Sequence, residues 1–175
     1  MTFITLYIWV EGNDDVRFFT EIIVPFLHSK YATIMIQKWS KMKKEKIYNF
    51  IKSIKSMPCA DYLFISDINN QPCISSKKEN LQKIFKIIEK EKMLIIQKEI
   101  ESWYLAGLND ESSKRLKIKT YEDTNTITKE MLNCQIPKKY NSRIDFLLEI
   151  LKSYSLDIAI QKNTSLKYFL NKYDC

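Results

Sequence analysis

Histidine occurs once, at position 28, and the four cysteines, Cys59, Cys73, Cys134 and Cys175, form no C-x-x-C pair. A structural zinc site needs clustered nitrogen or sulfur ligands, and a disulfide framework needs regularly placed cysteines. Neither is expected, and a reducing cytoplasm is the expected compartment. No apolar run reaches the roughly 18–20 residues that span a bilayer, so no membrane partner is expected. The apolar opening Met-Thr-Phe-Ile-Thr-Leu-Tyr-Ile-Trp-Val lacks a basic start and a small-residue cleavage site and runs straight into charged residues. It reads as a strand and not as a signal peptide. There is no internal repeat and no low-complexity linker, and glycine occurs only twice.

What is present describes a packed globule. The 175 residues are 45% hydrophobic and 13% aromatic, enough for one domain with a small appendage and a real core. The 28 Lys and Arg outnumber the 21 Asp and Glu, leaving a net charge of +7. That excess favours polyanionic partners, nucleic acid first, through neutralisation of phosphates. A composition rich in Lys, Ile and Asn produces part of it without any partner.

Hydrophobic periodicity predicts an alternation of strands and helices. Residues 2–10 suit a strand buried on both faces, with a helix over 14–28 capped by Asn13 or Asp14 and kinked or ended at Pro25. A second strand is expected over 31–39, a helix over 43–56, a third strand over 61–66, a helix over 76–91 and a fourth strand over 93–97. This β-α-β-α-β-α-β order predicts an α/β fold with a mostly parallel four-stranded sheet flanked by helices, Rossmann-like in plan, over residues 1–107. Residues 99–107 read as a helix, 108–124 as a polar surface loop, and helices follow near 126–133, 142–153 and 163–172. Residues 108–175 are thus expected as a mainly helical extension packed on the same core.

Three acidic clusters fall where strands end. Glu11-Gly12-Asn13-Asp14-Asp15 follows the first strand. Ligands of open α/β sheets bind at the carboxyl ends of strands, although Asp14 and Asp15 also suit a first helical turn on dipole grounds alone. Glu11 ends so apolar a strand that its charge requires a partner. Asp67 and Asn69 close the third strand, two residues apart and therefore on one face if the chain stays extended. Oxygen-only ligands there suit Mg²⁺ or Mn²⁺. Lys98-Glu99-Ile100-Glu101-Ser102-Trp103 follows the fourth strand. Of Glu99 and Glu101 one is expected to reach the site, with Lys98 meeting a phosphate and Trp103 either lining the core or stacking on a base. Lys38, Lys41, Lys43 and Lys44 surround Trp39 near the end of the second strand and form the candidate phosphate-tracking surface; otherwise they are a solvated helix start. His28, closing a helix, has a bland reading.

Taken together, E-G-x-x-D at Glu11–Asp15, Asp67-Ile68-Asn69 and the β/α order between them resemble the Toprim domain of type IA and II topoisomerases, bacterial primases and OLD-family nucleases. Trp9-Val10-Glu11-Gly12, Glu99-Ile100-Glu101-Ser102-Trp103-Tyr104-Leu105 and the ending Ser165-Leu166-Lys167-Tyr168-Phe169-Leu170 are similar to small stand-alone Toprim-like proteins of bacteria and archaea. The resemblance implies that Glu11 acts as general acid or base and touches metal, and that Asp67 ligates Mg²⁺ or Mn²⁺. It implies an OLD-type extra ligand in Asp15. Asn69 stands where the family has a second aspartate, and an uncharged amide holds a hard cation less tightly. The implied activity is metal-dependent nucleic-acid cleavage or phosphoryl transfer, on DNA more than RNA. The alternatives are a weakened module that binds nucleic acid or a partner ATPase without turnover, and an unrelated metal phosphatase or nucleotide hydrolase.

Overall fold

A computed structural model describes residues 5–173; residues 2–4 of the expected first strand, and Cys175, lie outside the described residues. The chain falls into two compact units, Met1–Ile95 and Ile96–Cys175. The helix expected at 99–107 therefore belongs to the second unit and not to the sheet domain.

In the first unit, β1 (Thr5–Val10) leads into α1 (Asn13–Phe18), a π-helical turn (Phe19–Ile23) and α2 (Val24–Leu27), one continuous helical run. Pro25 lies within it, and the widened turn sits just before the position where proline has no N–H to donate. β2 (Thr33–Lys38), α3 (Lys44–Ser56), β3 (Ala60–Asp67), α4 (Ile74–Ile84) and β4 (Met93–Ile96) follow. The strands form one all-parallel sheet in the order β2-β1-β3-β4, with β1 paired in parallel to both β2 and β3. This is the expected α/β architecture.

Alternation along the central strands divides the core. Trp9, Tyr62 and Phe64 join Ile47, Ile51 and Ile54 of α3 and Leu81 of α4 in one buried cluster. The intervening Leu6, Ile8, Val10, Leu63 and Ile65 are also buried, so both faces of the central strands β1 and β3 are covered and they read as nearly unbroken apolar runs, while the edge strand β2 has no buried residue. Trp39, half-buried, stacks on Phe64 at 4.8 Å between ring centroids and donates its indole N–H to the Ile65 carbonyl at 2.9 Å, which packs it against the margin of that cluster. The helix expected over 76–91 stops at Ile84. Phe85 leaves helical geometry, and both Phe85 and Ile88 are buried in that cluster from an irregular segment.

The second unit is helical: α5 (Ile100–Ala106), α6 (Asp110–Leu116), α7 (Lys129–Asn133), α8 (Arg143–Lys152), α9 (Leu156–Lys162) and α10 (Thr164–Tyr173). Every residue of α5 is buried, and α7, α8 and α9 pack around it. The expected loop over 108–124 contains α6. Asn109 caps its first turn by accepting from the Ser112 N–H at 2.8 Å, a signal weakened in sequence by the helix being polar nearly throughout. Ser155 likewise caps α9, which the sequence reading missed. Among the described residues no helix is long and apolar enough to cross a membrane.

Candidate functional site

The strand order fixes where a ligand would be expected. From β1 the chain runs outward to β2, then returns past β1 to β3 and β4, so the topological switch point lies between the carboxyl ends of β1 and β3. Glu11 follows the last residue of β1 and Asp67 is the last of β3. The observed register pairs Trp9 with Phe64, and two residues further on Glu11 stands level with Ser66.

Hydrogen bonds follow from that alignment. Glu11 Oε1 accepts from Ser66 Oγ at 2.5 Å and from the Asp67 backbone N–H at 3.0 Å. The Glu11 carbonyl accepts from Ser40 Oγ at 2.6 Å, which ties the loop after β2 to the same point. Glu11 Oε2 has no protein partner among the described residues, and Glu11 and Asp67 are both half-buried. The charge that ends an apolar strand is thus met by two donors from the neighbouring strand.

The other residues of the first acidic cluster have local work. Asp15, 5% exposed, returns Oδ2 to the Gly12 N–H at 3.0 Å, so the helix start expected to be capped by Asn13 or Asp14 is closed by Asp15 instead. Asp14 pairs with Arg17 at 2.6 Å. Asn13 Oδ1 accepts from Lys38 Nζ at 2.7 Å. Lys41 and Lys43 are exposed in the β2–α3 connection, with Lys43 at the N-cap position of α3, and the exposed Lys44 is the first residue of α3. The basic stretch therefore lies at the same, carboxyl edge of the sheet as Glu11.

Asn69 departs from the expectation. β3 ends at Asp67, and Asn69 takes a left-handed φ of 51°, so the chain is no longer extended and two-residue spacing does not set the direction of its side chain. Left-handed backbone favours Asn over most other residues, which gives position 69 a conformational reason for an amide.

The third cluster belongs to the second unit and is occupied there. Glu101 is 4% exposed and Arg143 Nη2 donates to its Oε1 at 2.6 Å, while Arg143 Nε donates to Asn133 Oδ1 at 2.7 Å. Glu99 Oε2 accepts from the Lys129 N–H at 2.5 Å, at the start of α7. Lys98 is exposed. Trp103 is fully buried, donates to Ser165 Oγ at 2.9 Å and packs on Phe169; a ring with no exposed face cannot stack on a base, and the nucleic-acid role expected for it is withdrawn. Sequence reasoning missed Ser66, Ser40 and Arg143 as partners of these carboxylates. Of the three, Ser66 was accessible from strand parity once β1 and β3 were taken as neighbours.

No three His, Cys, Asp or Glu side chains converge among the described residues. Mg²⁺ is commonly held by one or two carboxylates, with water and substrate phosphate completing the shell, so the pair Glu11 and Asp67 fits such an ion in donor chemistry and number. No family model matches the chain, and no curated protein or solved structure is similar enough to count as a match.

Proposed function

We propose that the chain is a Toprim-like protein that carries out Mg²⁺- or Mn²⁺-dependent phosphodiester cleavage or phosphoryl transfer on nucleic acid, DNA in preference to RNA. The observation that carries this reading is the Glu11 carboxylate at the switch point. One of its oxygens is fixed by Ser66 and the Asp67 N–H, the other is uncommitted among the described residues, and a second carboxylate stands on the adjoining strand end. When bound, the ion neutralises charge developing on the phosphoryl oxygens and lowers the pKa of water. Glu11 and Asp67 would hold it. Glu11 Oε2 exchanges the proton of the attacking water or leaving group, and the two donors on Oε1 keep the carboxylate from rotating away. Lys38, Lys41, Lys43 and Lys44 neutralise flanking backbone phosphates. Asp15 acts through Gly12, setting the turn on which Glu11 sits.

A second reading, a module that binds nucleic acid or a partner ATPase without turnover, draws on Asn69, which brings no charge to the corner. Nicking of supercoiled plasmid separates the two. The proposal expects product in Mg²⁺ or Mn²⁺, none in EDTA, and loss of product in Asp67→Asn. DNA binding without product supports the second reading, and nicking equal to wild type in Asp67→Asn overturns the assignment of the site. Phosphate release from mononucleotides alone would indicate a nucleotide hydrolase.

A further inference from the structure

The sheet ends differently on its two sides. Every residue of β4 is buried, whereas β2 at the opposite edge has no buried residue, and its Met35 is 41% exposed. β2 keeps an unbroken parallel register with β1 from Thr33 to Lys38, and Trp39 donates its N–H to the Val10 carbonyl at 3.0 Å. In a parallel ladder each residue turns both backbone groups to one side, and sides alternate along the strand. Met35 and Gln37 therefore bond to β1, while Ile34, Ile36 and Lys38 direct N–H and C=O away from the sheet. Those outward groups have no hydrogen-bond partner among the described residues.

Natural proteins guard such an edge with charge, proline or a bulge. β2 uses none of these. Its register holds no bulge, Thr33-Ile34-Met35-Ile36-Gln37 carries neither charge nor proline, and Lys38 Nζ is turned back to Asn13 Oδ1 at 2.7 Å. The strand is also complementary to itself. Set antiparallel about a two-fold axis at Met35, Ile34 of one copy stands opposite Ile36 of the other, and each such pair exchanges two backbone hydrogen bonds. Met35 then meets its own counterpart at the closer, non-hydrogen-bonded position, and Lys38 faces Ala32 and not another lysine. Met35 stands beside Tyr7 of β1, whose ring meets Phe50 of α3 edge-on at 5.8 Å, so covering it continues an existing apolar face.

We infer that β2 is the interface of a homodimer in which two copies of this chain pair antiparallel, joining two four-stranded sheets into one of eight strands. The pairing does not depend on the chemistry at Glu11. A strand of six residues makes a small contact, so association depends on concentration. The test is sedimentation velocity of the full chain over a concentration series, with amide exchange followed residue by residue by NMR. Wild type should pass from monomer to dimer as concentration rises, and the amides of Ile34 and Ile36 should become protected over the same range. Those of Met35 and Gln37, already bonded to β1, should not change. Met35→Lys sets like charges against each other across the axis and should weaken association several-fold. Ile36→Pro removes an N–H that the chain's own ladder does not use, so the dimer should be lost with β1 and β3 still protected. A monomer throughout the series with fast exchange at Ile34 and Ile36 overturns the proposal, as does a dimer that both variants leave intact. The wild-type exchange pattern decides by itself if neither variant folds.

Discussion

Glu11→Gln should reduce metal-dependent cleavage by about a hundred- to ten-thousand-fold, the range typical of losing a positioned general acid or base, while leaving the protein folded. The substitution is informative because of how Glu11 is held. Both donors on Oε1, Ser66 Oγ and the Asp67 N–H, can bond equally to the amide oxygen of Gln, so the β1–β3 junction keeps its contacts. What is lost is negative charge and the capacity to exchange a proton at the second oxygen. Unchanged circular dichroism together with lost nicking therefore assigns the defect to chemistry. Equal nicking in wild type and Glu11→Gln would mean that the reaction, if any, takes place elsewhere.

Arg143→Ala should destabilise the helical unit by about 3 kcal/mol, at the low end for breaking a buried pair because the Arg143 side chain is 23% exposed. Glu101 is left as a carboxylate inside the unit, 5% exposed by side chain, with its 2.6 Å guanidinium partner removed, and Asn133 loses a donor. Replacing both members by apolar residues, Arg143→Met with Glu101→Leu, should recover much of the loss, since no charge then remains buried. Hydrogen exchange is the suitable readout for a chain of two units. Amides of α5 and α8 should exchange faster in Arg143→Ala, whereas β1 and β3 keep their protection. Uniform protection in the variant would show that the pair contributes little.

β1, β3 and β4 were legible because burial on both faces leaves near-continuous β-branched and aromatic runs such as Tyr7-Ile8-Trp9-Val10 and Tyr62-Leu63-Phe64-Ile65, whereas the edge strand β2, with no buried residue, was legible from its apolar alternation. Glu11 and Asp67 were legible for the converse reason: a carboxylate directly after such a run is costly unless the fold meets it. Less could be read where tertiary packing overrode local preference. Phe85 and Ile88 continue a helical pattern in sequence, but their burial in the sheet cluster draws the chain out of the helix at Ile84. Lys77 sits on an inner helical stripe that amphipathicity would fill with an apolar residue. The left-handed φ of Asn69 is one that Asn-Asn-Gln-Pro locally permits, but the two-residue spacing of D-x-N was projected as a continuing strand. The roles of Glu99 and Glu101 were set by Lys129 and Arg143, distant in sequence, and spacing alone pointed them toward a ligand.

The central claim, that Glu11 and Asp67 form one cation site at the β1–β3 switch point, is tested most directly by soaking crystals in Mn²⁺ and locating the ion by its anomalous signal. The account predicts one Mn²⁺ peak within inner-shell distance, roughly 2.0–2.3 Å, of a Glu11 or Asp67 carboxylate oxygen, lost in Asp67→Asn. A Mn²⁺ peak bound only at other carboxylates, or no peak at this corner in Mn²⁺-saturated crystals, would contradict it.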